Sequence, residues 1–181
     1  MKTRILAGAF LAVSTLAMAQ KVKSKSEGEA LQAIQTEQDP AALMAKVDAF
    51  VAKFADTEFK TWAYTRAAEA AERKNDGPKV IIYSDLALET DPKAYHPMLM
   101  EAAELARSTR ENDLDKDEKL NKAEKLAKQA IEIAPTAVKP NPQIPDEQWD
   151  EVRKEFVGDA HRDLGMIASV KKKYEIGRAH V

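Results

Sequence analysis

Asp159-Ala160-His161-Arg162-Asp163-Leu164-Gly165-Met166-Ile167-Ala168-Ser169-Val170-Lys171-Lys172-Lys173-Tyr174 is the stretch whose reading decides the fold. Ala160, Leu164, Ile167, Ala168 and Lys171 recur at helical spacing. They lay one apolar stripe along a helix whose basic last turn complements the negative end of the helix dipole. Gly165 lies inside that stripe. A glycine in a helix interior costs about 1 kcal/mol relative to alanine, so its presence there marks a place where a second helix comes close.

Upstream, Asp146 is placed to cap the same helix, which carries Trp149, Val152 and Phe156 into the stretch. Before it, 139–145 holds Pro140, Pro142 and Pro145 and reads as an extended linker, 136–145 in all. Leu120, Ala123, Ala127, Ala130, Ile131 and Ala134 form a helical stripe that closes at Pro135, and Glu118–Lys122 and Glu124–Lys128 are spaced as favourable pairs. The preceding helix spans about Lys93 to Arg110. Its core face is Met98, Leu99, Ala102, Ala103, Leu105 and Ala106, and Pro97 is tolerated in its first turn.

Val80, Ile81, Ser84, Ala87 and Leu88 follow a helical period up to Asp91-Pro92. Val80-Ile81-Ile82-Tyr83 alone would pass for a strand, but helix signals flank it on both sides. Asn75-Asp76-Gly77-Pro78 predicts a helix–turn–helix junction, with glycine closing one helix and proline opening the next. Asp56-Thr57 starts the helix of Phe59, Trp62, Ala63, Ala67 and Ala70, and Asp39-Pro40 starts that of Leu43, Val47, Phe50, Val51 and Phe54. Ser26-Glu27-Gly28-Glu29 has capping-box spacing ahead of a short helix with Leu31 and Ile34, after a flexible start; the segment as a whole is 20–38. No segment shows the alternation of a strand, so the predicted class is all-α.

These features together resemble the tetratricopeptide repeat (TPR) family, whose unit is two antiparallel helices in about 34 residues. Leu164, Gly165, Ala168 and Tyr174 are similar to the first helix of such a repeat, with His161 where the family prefers tryptophan. Ala123, Ala127 and Ala130, closed by Pro135, resemble a second helix, and Ala87 with Pro92 resembles the same ending one unit earlier. Phe50 to Phe54 followed by Asp56 repeats it once more, with Ala55 in place of the proline. Pro92 and Pro135 stand 43 residues apart, so the unit between them carries an insertion, most simply the acidic loop at 111–117. The resemblance covers Leu43 to Tyr174, as repeats at 39–135 and a long helix at 146–174 that includes the first helix of a further repeat. It implies a right-handed solenoid of stacked helix pairs that binds a protein or peptide and needs no cofactor.

The N-terminus is of another kind. A basic Met1-Lys2-Thr3-Arg4 precedes an apolar run from Ile5 to Met18, and Ala17-Met18-Ala19 supplies the small residues a signal peptidase reads. Residues 1–19 therefore read as a signal helix cut before Gln20; the run is too short to span a bilayer, for which about 20 residues are needed. Removing 19 of 181 residues leaves 162, and loss of Lys2 and Arg4 takes the formal charge from −2 to −4. That weakly acidic balance gives no field for nucleic acid. The absence of cysteine excludes disulfides, thiolate metal sites, a cysteine nucleophile and a lipid-modified cysteine after the signal. The expected location is periplasmic or secreted, without a membrane anchor once the signal is cleaved.

Three constellations could carry chemistry. Asp113, Asp115, Asp117 and Glu124 follow the ligand order of a calcium EF-hand, but Glu118 replaces the glycine its turn requires, and a solvated loop ahead of a helix accounts for the same residues. No sequence-local carboxylate or serine pairs His96 or His161 into a triad. Lys171-Lys172-Lys173 is explained by the helix end. The predicted function is thus a non-catalytic interaction scaffold of the cell envelope. The alternatives are an assembly factor resembling the TPR subunit of the outer-membrane protein insertion machinery, against which the missing anchor cysteine counts, and a calcium-dependent module or enzyme using 113–124.

After Tyr174 a TPR needs a turn and a second helix of about a dozen residues. Glu175-Ile176-Gly177-Arg178-Ala179-His180-Val181 is instead what GAG-ATC-GGA-AGA-GCA-CAC-GTC encodes, a string similar to the start of a widely used short-read sequencing adapter. Residues 175–181 are accordingly expected to be an artefactual tail on a truncated chain, poorly packed, with apolar side chains exposed on one side of the preceding helix.

Overall fold

The computed structural model describes residues 22–139 and 143–179, with side chains to Lys172. The expected signal segment 1–19, Pro140 and Pro142, and His180 and Val181 lie outside the described residues. Seven α-helices and no strand are found among the described residues: α1 Lys25–Thr36, α2 Pro40–Lys53, α3 Lys60–Arg73, α4 Gly77–Thr90, α5 Tyr95–Ser108, α6 Lys116–Ile133 and α7 Asp146–Ala179. The expected all-α class holds. A 3-10 turn, Ala134–Thr136, follows α6.

The caps set these boundaries. Asp39 accepts a hydrogen bond from the Ala42 amide with Pro40 at the first helical position, and Asp76 accepts from the Lys79 amide ahead of Pro78. Two expected details differ. The capping box sits two residues earlier than Ser26 and Glu29: the Glu27 amide donates to Ser24 Oγ at 3.1 Å, and the Glu27 carboxylate accepts from the Lys23 amide at 2.6 Å. Tertiary structure decides this register, because Glu27 is buried and also accepts a 2.6 Å hydrogen bond from Thr57 Oγ1. Lys23 Nζ meanwhile pairs with Asp56 at 2.9 Å, so residues from Val22 onward are tied down where a flexible start was expected. Thr57 Oγ1 accepts from the Phe59 amide, and α3 begins at Lys60 rather than at Asp56-Thr57.

The α3–α4 junction also changes hands. Asn75, with φ 56°, takes the left-handed position expected of Gly77. The amide of Asp76 reaches the Ala71 carbonyl and that of Asn75 the Glu72 carbonyl, both at 2.9 Å, which is the Schellman closure. Gly77 opens α4 instead. A Cβ on it would fall 2.0 Å from Glu104 Oε1, so the missing side chain makes room for a buried acid of α5.

Each helix packs on its neighbours in sequence, and turns of three to seven residues join α1 through α6. The order of the layers shows in the longer contacts: α3 touches α5, and α5 touches α7, while no even-numbered pair makes comparable contact. Ala67, Ala68, Ala70 and Ala71 of α3 are fully buried, which lets the α4 backbone come close. One apolar cluster runs from Leu31 and Ile34 through Val47, Phe50 and Phe59 to Tyr83. A second joins Met98, Leu99, Ala102 and Leu105 of α5 to Ala123, Ala127 and Ala130 of α6 and Ala160 and Ile167 of α7. The Trp149 indole N–H donates to the Ala137 carbonyl at 2.9 Å, and Lys139 pairs with Asp146 at 2.5 Å. The ends of the Pro-rich linker are thereby anchored to the start of α7. Asp146 is the first residue of that helix.

Candidate functional site

The odd-numbered helices bring together polar and aromatic side chains that are far apart in sequence. On α3, Arg66 is ion-paired with Glu69, three residues on, and Glu69 Oε1 lies 3.7 Å from His96 Nδ1 of α5. The His96 ring is 5.5 Å from that of Phe156 on α7, and Tyr95 meets Phe156 edge to face at 4.8 Å. Three helices thus share one surface cluster. His96 is partly exposed, Glu69 and Arg66 less so, and Phe156 is half-buried. Burial pushes the Tyr95 hydroxyl up to about 12, so it is a neutral donor throughout the accessible pH range. The chemistry on offer is recognition by a fixed carboxylate–guanidinium pair, an imidazole and an aromatic edge. No nucleophile stands next to a base in this cluster.

Local sequence explains why these groups stand where they do. Pro97, buried in the first turn of α5, sets the entry of the helix and places Tyr95 and His96 on its opening residues. Phe156 follows Val152 by four residues on the buried side of α7. Seven residues beyond Phe156, Asp163 lies between buried Ala160 and Ile167; burial lifts its carboxyl to about 6.

The residues predicted from the repeat pattern fall into two groups. Ala123, Ala127, Ala130 and Ala87 are fully buried, and Leu164 is half-buried. Pro92 and Pro135 are exposed just past the ends of α4 and α6. Gly165 and Ala168 are both exposed, and a Cβ on Gly165 would meet nothing within 4 Å, so no second helix approaches Gly165 among the described residues. The turn of α7 that packs inward carries Ala160, Asp163 and Ile167 instead. The Tyr174 side chain lies outside the described residues, as do those of the expected tail, although the α7 backbone continues through Ala179.

His161 is exposed on α7 and is not part of the His96 cluster. In the acidic loop, Asp113 accepts from the Arg110 amide at 3.0 Å, and Lys119 stands 3.5 Å from Asp113 and 3.0 Å from Asp115. Glu124 faces away, held by Lys128 and Lys171 at 2.5 Å each, and these two ammonium groups pull its carboxyl down to about 2. A lysine therefore occupies the ground between the loop carboxylates. No cluster of three or more histidine and carboxylate groups suited to a metal ion forms among the described residues. The Glu118–Lys122 pair expected on α6 gives way to contacts of Lys122 with Asp85 and Glu101.

Sequence reasoning passed over Arg66, Glu69, Tyr95 and Phe156 as site residues because they belong to three helices. The one local signal was Tyr95-His96-Pro97 at a helix start. No helix among the described residues is long and apolar enough to cross a membrane. The chain matches no known family profile, no curated protein and no solved structure.

Proposed function

We propose that this chain is a non-catalytic binding scaffold of the tetratricopeptide type, whose odd-numbered helices line a groove for a peptide or partner segment. The observation that carries this reading is the spacing of those helices. The first residues of α1, α3 and α5 are 25, 60 and 95, a repeat of 35 residues, and each of these helices is followed by a partner. That period is within one residue of the family unit of about 34. Contact between α3 and α5 and between α5 and α7, without like contact among the even helices, is what a curved stack produces on its inner side. The inner side is then the odd-helix layer, where Arg66, Glu69, His96 and Phe156 meet. Periplasmic or secreted residence and cleavage before Gln20 belong to the same proposal and rest on the sequence of residues 1–19.

The test is selection from a random peptide library on the chain from Gln20, followed by affinity measurement with Glu69→Lys and His96→Ala. Both changes lie at the partly exposed surface and leave the melting temperature within a few degrees of the parent. The expected result is a selected peptide whose affinity falls at least tenfold in both variants. Failure to select any peptide, or affinity indifferent to both substitutions, would contradict the groove.

A further inference from the structure

The joint between consecutive helix pairs contains a carboxylate with no exposure to solvent. Glu101 of α5 is 0 % exposed, and neither of its oxygens has a hydrogen-bond partner among the described residues. Lys122 of α6 comes within 2.5 Å of Glu101 Oε1 as an ion pair without hydrogen-bond geometry. The same ammonium is 2.7 Å from Asp85 of α4. One lysine therefore serves two acids from the two helices it bridges, and only Lys122 and Asp85 reach solvent. Ser84, beside Asp85 in sequence, is a further buried polar group, a hydroxyl without a hydrogen-bond partner.

We propose that Glu101 is a proton-operated joint: taking up a proton removes the buried charge and steadies the packing of α4 and α5, and releasing it leaves a buried charge that one shared lysine must hold. An ionised buried carboxylate needs two or three donors to repay its lost hydration, and here it has a single off-axis ammonium. The protonated acid carries no charge, and Lys122 is then left to Asp85 alone, as a neutral pair. Burial lifts the Glu101 carboxyl to about 7; Lys122 opposes the rise and Asp85 adds to it.

Other charges on the helices packed against the joint, Asp163 excepted, are paired among themselves. On α3, Arg66 and Glu69 hold each other, with His96 beside Glu69. On α5 itself, Glu104 is paired with Arg107. On α7, Lys171 is held by Glu124 and Asn121, and Asp163 is buried between Ala160 and Ile167. The sign follows from the raised folded-state value: below about 4.5 the acid is protonated folded or unfolded, and stability then falls as pH rises toward 7 because the folded state gives up its proton last.

The experiment pairs a direct titration with a variant. The Glu101 carboxyl carbon, followed by NMR in the wild-type chain, is expected to titrate with a midpoint near 7. Between pH 6 and pH 8 the opening equilibrium of the α4 and α5 amides, measured by hydrogen exchange, should rise about tenfold in the wild type, since one pH unit on either side of that midpoint changes proton occupancy by about this factor. Glu101→Gln should abolish that rise, and Asp163, common to both proteins, cancels in the comparison. A midpoint at or below about 4.5, or the same tenfold rise in Glu101→Gln, would overturn the proposal. The titration decides the matter even if the variant folds poorly.

Discussion

A Cβ added to Gly165 would enter open space, whereas one added to Gly77 would collide with Glu104 Oε1 at 2.0 Å. The same residue type therefore does opposite things in two helices. At Gly165 only the conformational freedom of the unfolded chain matters, and Gly165→Ala should stabilise the protein by about 0.5–1 kcal/mol, read as a higher denaturation midpoint. Gly77→Ala should destabilise it, because Glu104 would have to leave its buried place beside Arg107. A loss of stability in Gly165→Ala would show a helix packed on that face. Sequence alone marked Gly165 as a contact because glycine is costly inside a helix. It could not reveal that the inward side of α7 is the one bearing Ala160, Asp163 and Ile167, since both sides follow a helical period.

At the scale of elements, local signals were legible and partner-dependent ones were not. Asp39-Pro40, Asp76 with Pro78 and Asp91-Pro92 mark helix ends by chemistry contained within a few residues, and the structure places ends there. Glu27, Glu101 and Glu104 carry no local signal of burial in the sequence, yet all three are buried. The groups that allow this are Thr57, Lys122 and, for Glu104, the vacant side of Gly77, and all three come from more than 20 residues away. The α6 stripe was legible throughout, because Ala123, Ala127 and Ala130 combine small size with a clean period. Ala127 is 0 % exposed within the α5–α6–α7 cluster. Ala127→Glu should cost about 3 kcal/mol or more, by burying a charge where there is no room for it. An unchanged melting temperature would mean that α6 packs through another face.

At the scale of the molecule, α1, α3 and α5 begin 35 residues apart, α3 touches α5, and α5 touches α7. On the proposed reading, the surface shared by α3, α5 and α7 is where a partner is held. Nothing in the sequence joined Arg66, Glu69, His96 and Phe156, since 90 residues separate the first from the last and only the folding of three helices brings them together. The most direct measurement is amide chemical-shift mapping of the chain from Gln20 with a library-selected peptide. Shifts concentrated on α3, α5 and α7 around Glu69, His96 and Phe156 are the predicted result. Shifts confined to the outer faces of α4 and α6, with the odd helices unmoved, would contradict it.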